Sequence, residues 1–245
     1  MTKSFQQDSD LREKTQMLLQ ALIKFSLTVF FKIFFKLEVV GAEKAVEEVR
    51  EARKNHKGII FAANHTNELD GPVIRTFLPF KIFTYPMYYV AMTREHYHRG
   101  LLDWRTYLYG GWLFKLLGAF PAYKGMRDYQ ASLINHIDLL EQGKVVCIFP
   151  EGKISVDTAR PSEARGGVAF LAEHTQTNII PVKIDGLRRI PWHKVFMFKR
   201  PSVRIEYKTL LQTHVLVQNA RDKHIPSGVE TYKDVAEQIM NTIRS

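Results

Sequence analysis

An α/β fold, a mixed β-sheet flanked by helices with an amphipathic helix at the amino terminus, is the class this sequence predicts. Three observations carry the prediction. Short apolar runs at residues 58–63, 144–148 and 179–182 have the length of buried strands and are bounded by polar or turn residues. Stretches of helical period lie between them, so strands and helices alternate. Two of the runs end in clusters of polar side chains, the kind of group that the carboxyl edge of an open α/β sheet gathers.

The first element is the apolar stretch 17–37, interrupted at Gln20, Lys24, Thr28, Lys32 and Lys36. A step of four residues advances about 400° on an α-helix, so these five form a slowly drifting polar ribbon on an apolar cylinder. The helix would extend about 32 Å, enough to cross a bilayer. Crossing, however, would bring Lys24 and Lys32 toward the hydrocarbon centre at roughly 2.5 to 3.5 kcal/mol each. Lying in the interface avoids most of that cost and keeps the lysines near anionic headgroups. Residues 1–40 are therefore expected to be an amphipathic, membrane-associating helical segment, monotopic and on the cytoplasmic face, with one domain over 41–245.

Within that domain a short helix is expected at 42–54, a strand at 58–64 and a helix opening at Asp70-Gly71-Pro72. A strand at 87–92, a helix at 103–115, a strand at 119–122 and a helix at 127–142 follow. Strands at 144–149 and 179–184 enclose a helix within 162–174, and residues 202–208 alternate like a further strand. The last helix is signalled by Ser227 and Glu230 as a capping box. Val229, Tyr232, Val235, Ala236, Ile239, Met240 and Ile243 recur behind it at helical spacing.

Composition bounds the function classes. With 245 residues and 45% hydrophobic content, the chain suits one domain plus an appendage. The single cysteine excludes a disulfide within the chain, and Cys147, inside an apolar run, reads as a packing residue. The first residues lack the basic-then-apolar order of a secretory signal. The formal charge of +10 is concentrated after residue 187, where Arg188, Arg189, His193, Lys194, Lys199, Arg200, Arg204 and Lys208 meet few acids. Such a surface suits an anionic membrane or nucleic acid. No nucleic-acid recognition motif is present and the apolar helix favours the membrane, so no nucleic-acid partner is expected. Rings from Phe80 to Phe114 form an aromatic belt suited to headgroup depth or to an acyl chain.

The chemistry sits at the two polar clusters, Asn64-His65-Thr66-Asn67-Glu68-Leu69-Asp70 and Phe149-Pro150-Glu151-Gly152. A histidine and an aspartate five residues apart at a strand-to-helix junction suit an imidazole general base whose tautomer a carboxylate holds. His98 and Asp103 share that spacing but follow no strand, so context selects His65 and Asp70. No cluster has metal-ligand spacing, and neither a metal nor a bound cofactor is expected.

The two motifs, H-x4-D and F-P-E-G in this order, resemble those of the glycerophospholipid acyltransferases. Gly118 to Lys124 is similar to the family's second block, with lysine where arginine is usual, and Ile179-Ile180-Pro181-Val182 is similar to its fourth. The resemblance implies a glycerolipid acyltransferase domain with His65 as general base and Asp70 as its partner. It implies acceptor or donor contacts from Asn64, Lys124, Glu151, Gly152, Lys153 and Ser155. The implied substrates are a lysophospholipid acceptor, foremost 1-acylglycerol-3-phosphate, and an acyl-CoA or acyl-carrier-protein donor. Where phosphatidic-acid-forming enzymes commonly continue F-P-E-G with Thr-Arg-Ser, this chain has Lys153-Ile154-Ser155. Two bidentate phosphate binders are thus missing from their usual places, with Lys153, Arg160 or Arg165 as possible substitutes. That departure keeps open a second acceptor class, lysophospholipids bearing a headgroup such as lysophosphatidylethanolamine, as in tafazzin-type enzymes. A non-catalytic lipid-binding protein is a further alternative, against which the intact His65, Asp70 and Glu151 count.

Overall fold

In a computed structural model of the chain the described residues are 2–81, 86–92, 117–123, 128–155, 162–223 and 228–245, with side chains from residue 10 onward. The strands are β1 (Lys36–Val40), β2 (Ile59–Ala63), β3 (Met87–Met92), β4 (Ala119–Ala122), β5 (Val145–Ile148), β6 (Ile179–Asp185) and β7 (Ser202–Tyr207). The helices are α1 (Thr2–Phe34), α2 (Ala42–Lys54), α3 (Asp70–Phe77), α4 (Tyr129–Glu141), α5 (Gly167–His174), α6 (Trp192–Phe196), α7 (Thr213–Asp222) and α8 (Val229–Arg244).

The strands form one sheet in the order β1-β7-β6-β2-β5-β3-β4. Strands β6 through β4 run parallel, β7 is antiparallel to β6, and β1 is parallel to β7, which makes the sheet mixed as expected. Every residue of β2 is buried, because a central parallel strand has helices on both faces and so carries no polar alternation. Ile59, Phe61 and Ala63 pack with α1, α2 and α3 through Phe31, Val49 and Ile74. Ile60 and Ala62 pack with α4, α5 and α8 through Leu133, Leu171 and Ile239.

The chain leaves β2 for β3 on one side, and leaves β5 across β2 for β6 on the other. The connections after these neighbouring strands therefore diverge, which opens a crevice at their carboxyl ends.

The amino-terminal segment departs from expectation in two respects. Helix α1 begins at Thr2 and stops at Phe34, and Lys36–Val40 is not helical but pairs with β7, Lys36 opposite Ser202. The β-branched Val39 and Val40 explain the change, since they suit a strand better than a helix terminus. The polar ribbon also does not face lipid along its length. Gln20 is buried, donating to the carbonyls of Met87 and Leu117 at 2.7 and 3.0 Å and accepting from Met87 N at 2.9 Å. Lys24 donates to the carbonyls of Thr76 and Leu78 at the end of α3. Burial, and then the charge of Arg75, lowers its pKa to about 8. Lys32 and Lys36 do reach solvent. The outward face of α1 is instead apolar, with Leu11, Leu18, Leu22, Phe25, Val29 and Ile33 all exposed.

Helices α6 and α7 were not foreseen. The first is five residues long, and the apolar residues of the second mark no single face, with Val217 buried and Val215 exposed. The helix expected at 103–115, the pair His98 and Asp103, most of the aromatic belt, Lys124, Arg160 and Ser227 lie outside the described residues.

Candidate active site

Strand β2 ends at Ala63, and the next six residues form a loop that folds back on the side chain that follows it. Asp70, the first residue of α3, is fully buried. Its Oδ2 accepts from Thr66 N at 2.5 Å and from Asn67 N at 2.7 Å, and Oδ1 accepts from Thr66 Oγ1 at 3.0 Å. His65 Nδ1 lies 3.0 Å from Oδ2. A fully buried carboxylate with this many donors is fixed in place, and Nδ1 carries the proton that it accepts. The Nε2 atom of His65 is the ring nitrogen not turned to Asp70, on a side chain that is 20% exposed.

Each residue of the second cluster has a separate task. The Phe149 ring stacks on the imidazole, centroids 4.1 Å apart and planes 15° from parallel, which restricts ring rotation. Pro150 offers its carbonyl to Arg165 N at 2.8 Å. Glu151 Oε1 accepts from His65 N at 3.2 Å and so joins the two loops. Gly152 turns the chain at φ 62, a left-handed conformation that favours glycine, and a Cβ there would displace the Arg165 side chain, whose Cδ would lie 2.8 Å away. The other oxygen of Glu151, Oε2, is buried without a hydrogen-bond partner among the described residues. Burial pushes the Glu151 carboxyl above its usual range, opposed by its bond from His65 N and by the charges of Arg244, His65 and Arg188.

The remaining expected contacts divide by what they touch. Asn64 spends its amide on the Ile184 backbone, donating to the carbonyl and accepting from the amide, both at 2.8 Å. It extends the β2–β6 pairing by one side chain, and so positions the loop. Ser155 is buried and its N–H donates to the His65 carbonyl at 2.8 Å. Lys153 and Ile154 are exposed beside it. Three participants had been missed. Thr66 and Asn67 hold Asp70 through backbone and hydroxyl groups, and Arg188 donates to the Ser155 carbonyl from the turn after β6. The motif letters mark Asp70, but nothing in its spacing names the donors around it.

Cys147 is fully buried in β5, and burial raises its thiol pKa, with Asp70 adding to the effect. It packs, and offers no accessible nucleophile. Among the described residues no group of three His, Cys, Asp or Glu side chains is placed to hold a metal ion.

Comparison with known proteins agrees with this arrangement. The sequence profile of the family described as Acyltransferase matches residues 36–185, from the first residue of β1 to the last of β6. A protein of Dictyostelium discoideum named "Taffazin" is 30% identical over 122 residues, 48% of this chain. The chain spans 40% of the length of that relative. The crystal structure of the 1-acyl-sn-glycerophosphate (LPA) acyltransferase PlsC from Thermotoga maritima superposes with a TM-score of 0.57. It is 21% identical, with 95% of this chain and 81% of that chain covered, and shows that the fold is shared. Because the profile spans more than half of the sequence and takes in both loops of the crevice, the chain belongs to the glycerophospholipid acyltransferase family and is an acyltransferase.

Proposed function

We propose that this enzyme transfers a fatty acyl chain from an acyl thioester, acyl-CoA or an acyl-carrier protein, to the free hydroxyl of a lysophospholipid. The acceptor read first is 1-acylglycerol-3-phosphate, which gives phosphatidic acid in phospholipid biosynthesis. One observation carries the reading: His65 Nδ1 sits 3.0 Å from a carboxylate that is itself fully bonded and buried. The acceptor hydroxyl gives its proton to Nε2 as its oxygen attacks the thioester carbonyl, and Asp70 stabilises the imidazolium that forms. The C–S bond then breaks, and the imidazolium returns the proton to the departing thiolate. Ester and thiol result, with no acyl-enzyme. Glu151 Oε2 orients the acceptor's polar groups, Lys124 and Lys153 supply charge to a phosphate, and Asn64, Gly152 and Ser155 shape the loops around it.

Helix α1 docks on one leaflet at the cytoplasmic face. Asp10–Phe34 is long and apolar enough to cross a membrane by length and composition. Its inward side is committed to the domain, through Gln20 and Lys24 and through the buried Phe31, and that commitment favours a monotopic attachment. A tag at Met1 should therefore stay on the same side of sealed vesicles as Ser245. Protection of the two tags on opposite sides would refute the monotopic reading.

The deciding assay uses labelled acyl-CoA with a panel of lyso-acceptors, on the parent and on His65→Ala. Transfer to lysophosphatidate by the parent, abolished in the variant, is the expected result. A second reading, reacylation of a headgroup-bearing lysophospholipid, is favoured by the exposed Ile154 in place of arginine and by the Dictyostelium relative's name. Ile154→Arg separates the two readings. If position 154 faces the acceptor phosphate, the ratio of kcat/KM for lysophosphatidate over lysophosphatidylethanolamine rises in the variant, and general damage to the fold cancels in that ratio.

A further inference from the structure

We propose that the hairpin containing α6 is a second membrane-insertion element, which seats the aromatic side chains of residues 192–198 in an anionic leaflet beside the catalytic crevice. The proposal rests on the leaflet docking of α1 and adds to it a second, separate contact.

In this segment the side chains are turned inside out. Val195 alone is buried, whereas Trp192, Phe196, Met197 and Phe198 are 46%, 72%, 61% and 64% exposed. Four large apolar side chains in seven residues form a contiguous patch rather than scattered surface residues. The backbone there is unfavourable as well. Phe198, which follows the helix terminus, has φ 54, a left-handed conformation that a helix stop normally gives to glycine or asparagine. That strained position keeps a large apolar ring at the surface, where lipid contact would give it a use.

The patch adjoins the carboxyl end of α1, where Ile33 is exposed. The Phe198 ring stacks on Phe34 with centroids 5.3 Å apart, and Arg200 donates to the carbonyls of Lys32 and Phe35 at 2.9 and 3.0 Å. Exposed cations rim it, with Lys194, Lys199 and Arg200 on the hairpin and Lys32 and Lys36 across from them. Apolar side chains surrounded by lysine and arginine complement acyl chains beneath acidic headgroups.

Position gives the contact a purpose. The hairpin leaves the carboxyl end of β6, the sheet edge that carries His65, and the turn before it is tied to the site through Asn67 Nδ2 on the Leu187 carbonyl at 3.0 Å. The first half of α1 meets the opposite edge, where Glu13 pairs with Lys144 just before β5. A helix alone is a line of contact about which the domain could roll. Two non-collinear contacts define a plane, and the second holds the crevice next to the leaflet from which the acceptor comes.

The test uses the full chain and phosphatidylcholine vesicles with and without phosphatidylglycerol. Cys147 is fully buried, so Phe196→Cys offers one accessible thiol for an environment-sensitive fluorophore. Its emission is expected to shift to the blue and to be quenched by shallow spin-labelled lipids, most strongly with phosphatidylglycerol present. In a second arm, Phe196→Ser with Phe198→Ser should weaken vesicle binding by roughly tenfold or more. The same variant should keep the parent's turnover on a short-chain acceptor supplied as monomers. Should the parent fail to bind vesicles at all, α1 docking is wrong and this proposal goes with it. If the parent binds while the probe at 196 stays aqueous, or the double variant binds as the parent does, the hairpin proposal alone is overturned. A blue shift that depends on protein concentration and needs no lipid would assign the patch to a second copy of the chain and overturn it too.

Discussion

Asp70 and Glu151 are both buried carboxylates, both follow a central strand and both touch His65, yet they are satisfied differently. Asp70 accepts on both oxygens, from His65 and from three donors of the intervening loop. Glu151 accepts on one oxygen only, and its other stands buried without a partner among the described residues. A carboxylate with every site taken can only hold something still. One with an open site has capacity for a ligand, and an unmet buried acceptor is costly until it is met. On the proposed function the first is the orienting member of the pair and the second is the one with an oxygen to offer the acceptor.

The hardest test of that contrast is Asp70→Asn. The amide cannot accept at both positions, the imidazole loses its preferred tautomer, and kcat should fall by roughly four orders of magnitude, comparable to His65→Ala. Circular dichroism unchanged from the parent would show that orientation and not folding was lost. A variant within tenfold of the parent would remove Asp70 from the mechanism.

Acid would be a blunt means of telling the carboxylates apart, because His136 intervenes. Burial in α4, partly offset by the backbone of Tyr89 and Phe120, lowers its pKa to about 4. An unfolded histidine titrates near 6.5, so between pH 6.5 and 4 the unfolded chain takes up a proton that the folded chain refuses. Stability is therefore full above pH 6.5 and lost as the pH falls through that window, by on the order of 3 kcal/mol. Urea unfolding at pH 7 and at pH 4.5 should show this loss in the parent and less of it in His136→Gln. Equal losses in the two would assign the acid sensitivity to other groups.

Glu151→Gln probes the open oxygen. Glutamine can still accept from His65 N through its own carbonyl, but it presents a donor where Oε2 stood. Transfer should drop by about 10- to 100-fold, the range for a hydrogen bond to a charged group, with the larger share in the KM for acceptor. Parent-like kinetics would reduce Glu151 to a clasp between loops. The smallest effect is expected of Thr66→Val, which takes one donor from Asp70 Oδ1 and leaves the backbone donors, so turnover should fall only about 2- to 10-fold. A larger fall would mean that the hydroxyl carries more of the orientation than its single bond implies.

Much of this was legible from sequence, and the exceptions share a cause. Strands β2, β5 and β6 announced themselves because burial on both faces leaves an unbroken apolar run. Helix α8 did so because Val235, Ala236, Ile239, Met240 and Ile243 keep one face buried, as spaced. His65, Asp70 and the F-P-E-G loop were legible as letters at fixed positions. The orientation of α1 was not, because a polar ribbon reads the same whether it meets headgroups or another helix's carbonyls. Gln20 and Lys24 bond to residues 52 to 97 positions away, and no local pattern records such partners. Arg188 was counted as surface charge for the same reason, although its guanidinium closes on Ser155 beside the site. Asn64, expected among the substrate contacts, also adds a rung to the sheet through the Ile184 backbone, which its place in the motif does not reveal.

Because Gln20 and Lys24 reach into the domain from the helix proposed to meet lipid, adhesion and folding would draw on one free energy. Vesicles that bind α1 select the folded chain, so the midpoint of thermal unfolding should climb with lipid concentration as it would with any ligand of the native state. Helix α3 starts at Asp70 and ends at carbonyls held by Lys24, so a domain parted from its leaflet would slacken first at the segment that aims the catalytic imidazole. The membrane would then be a stabilising ligand of this enzyme as well as the place where it works.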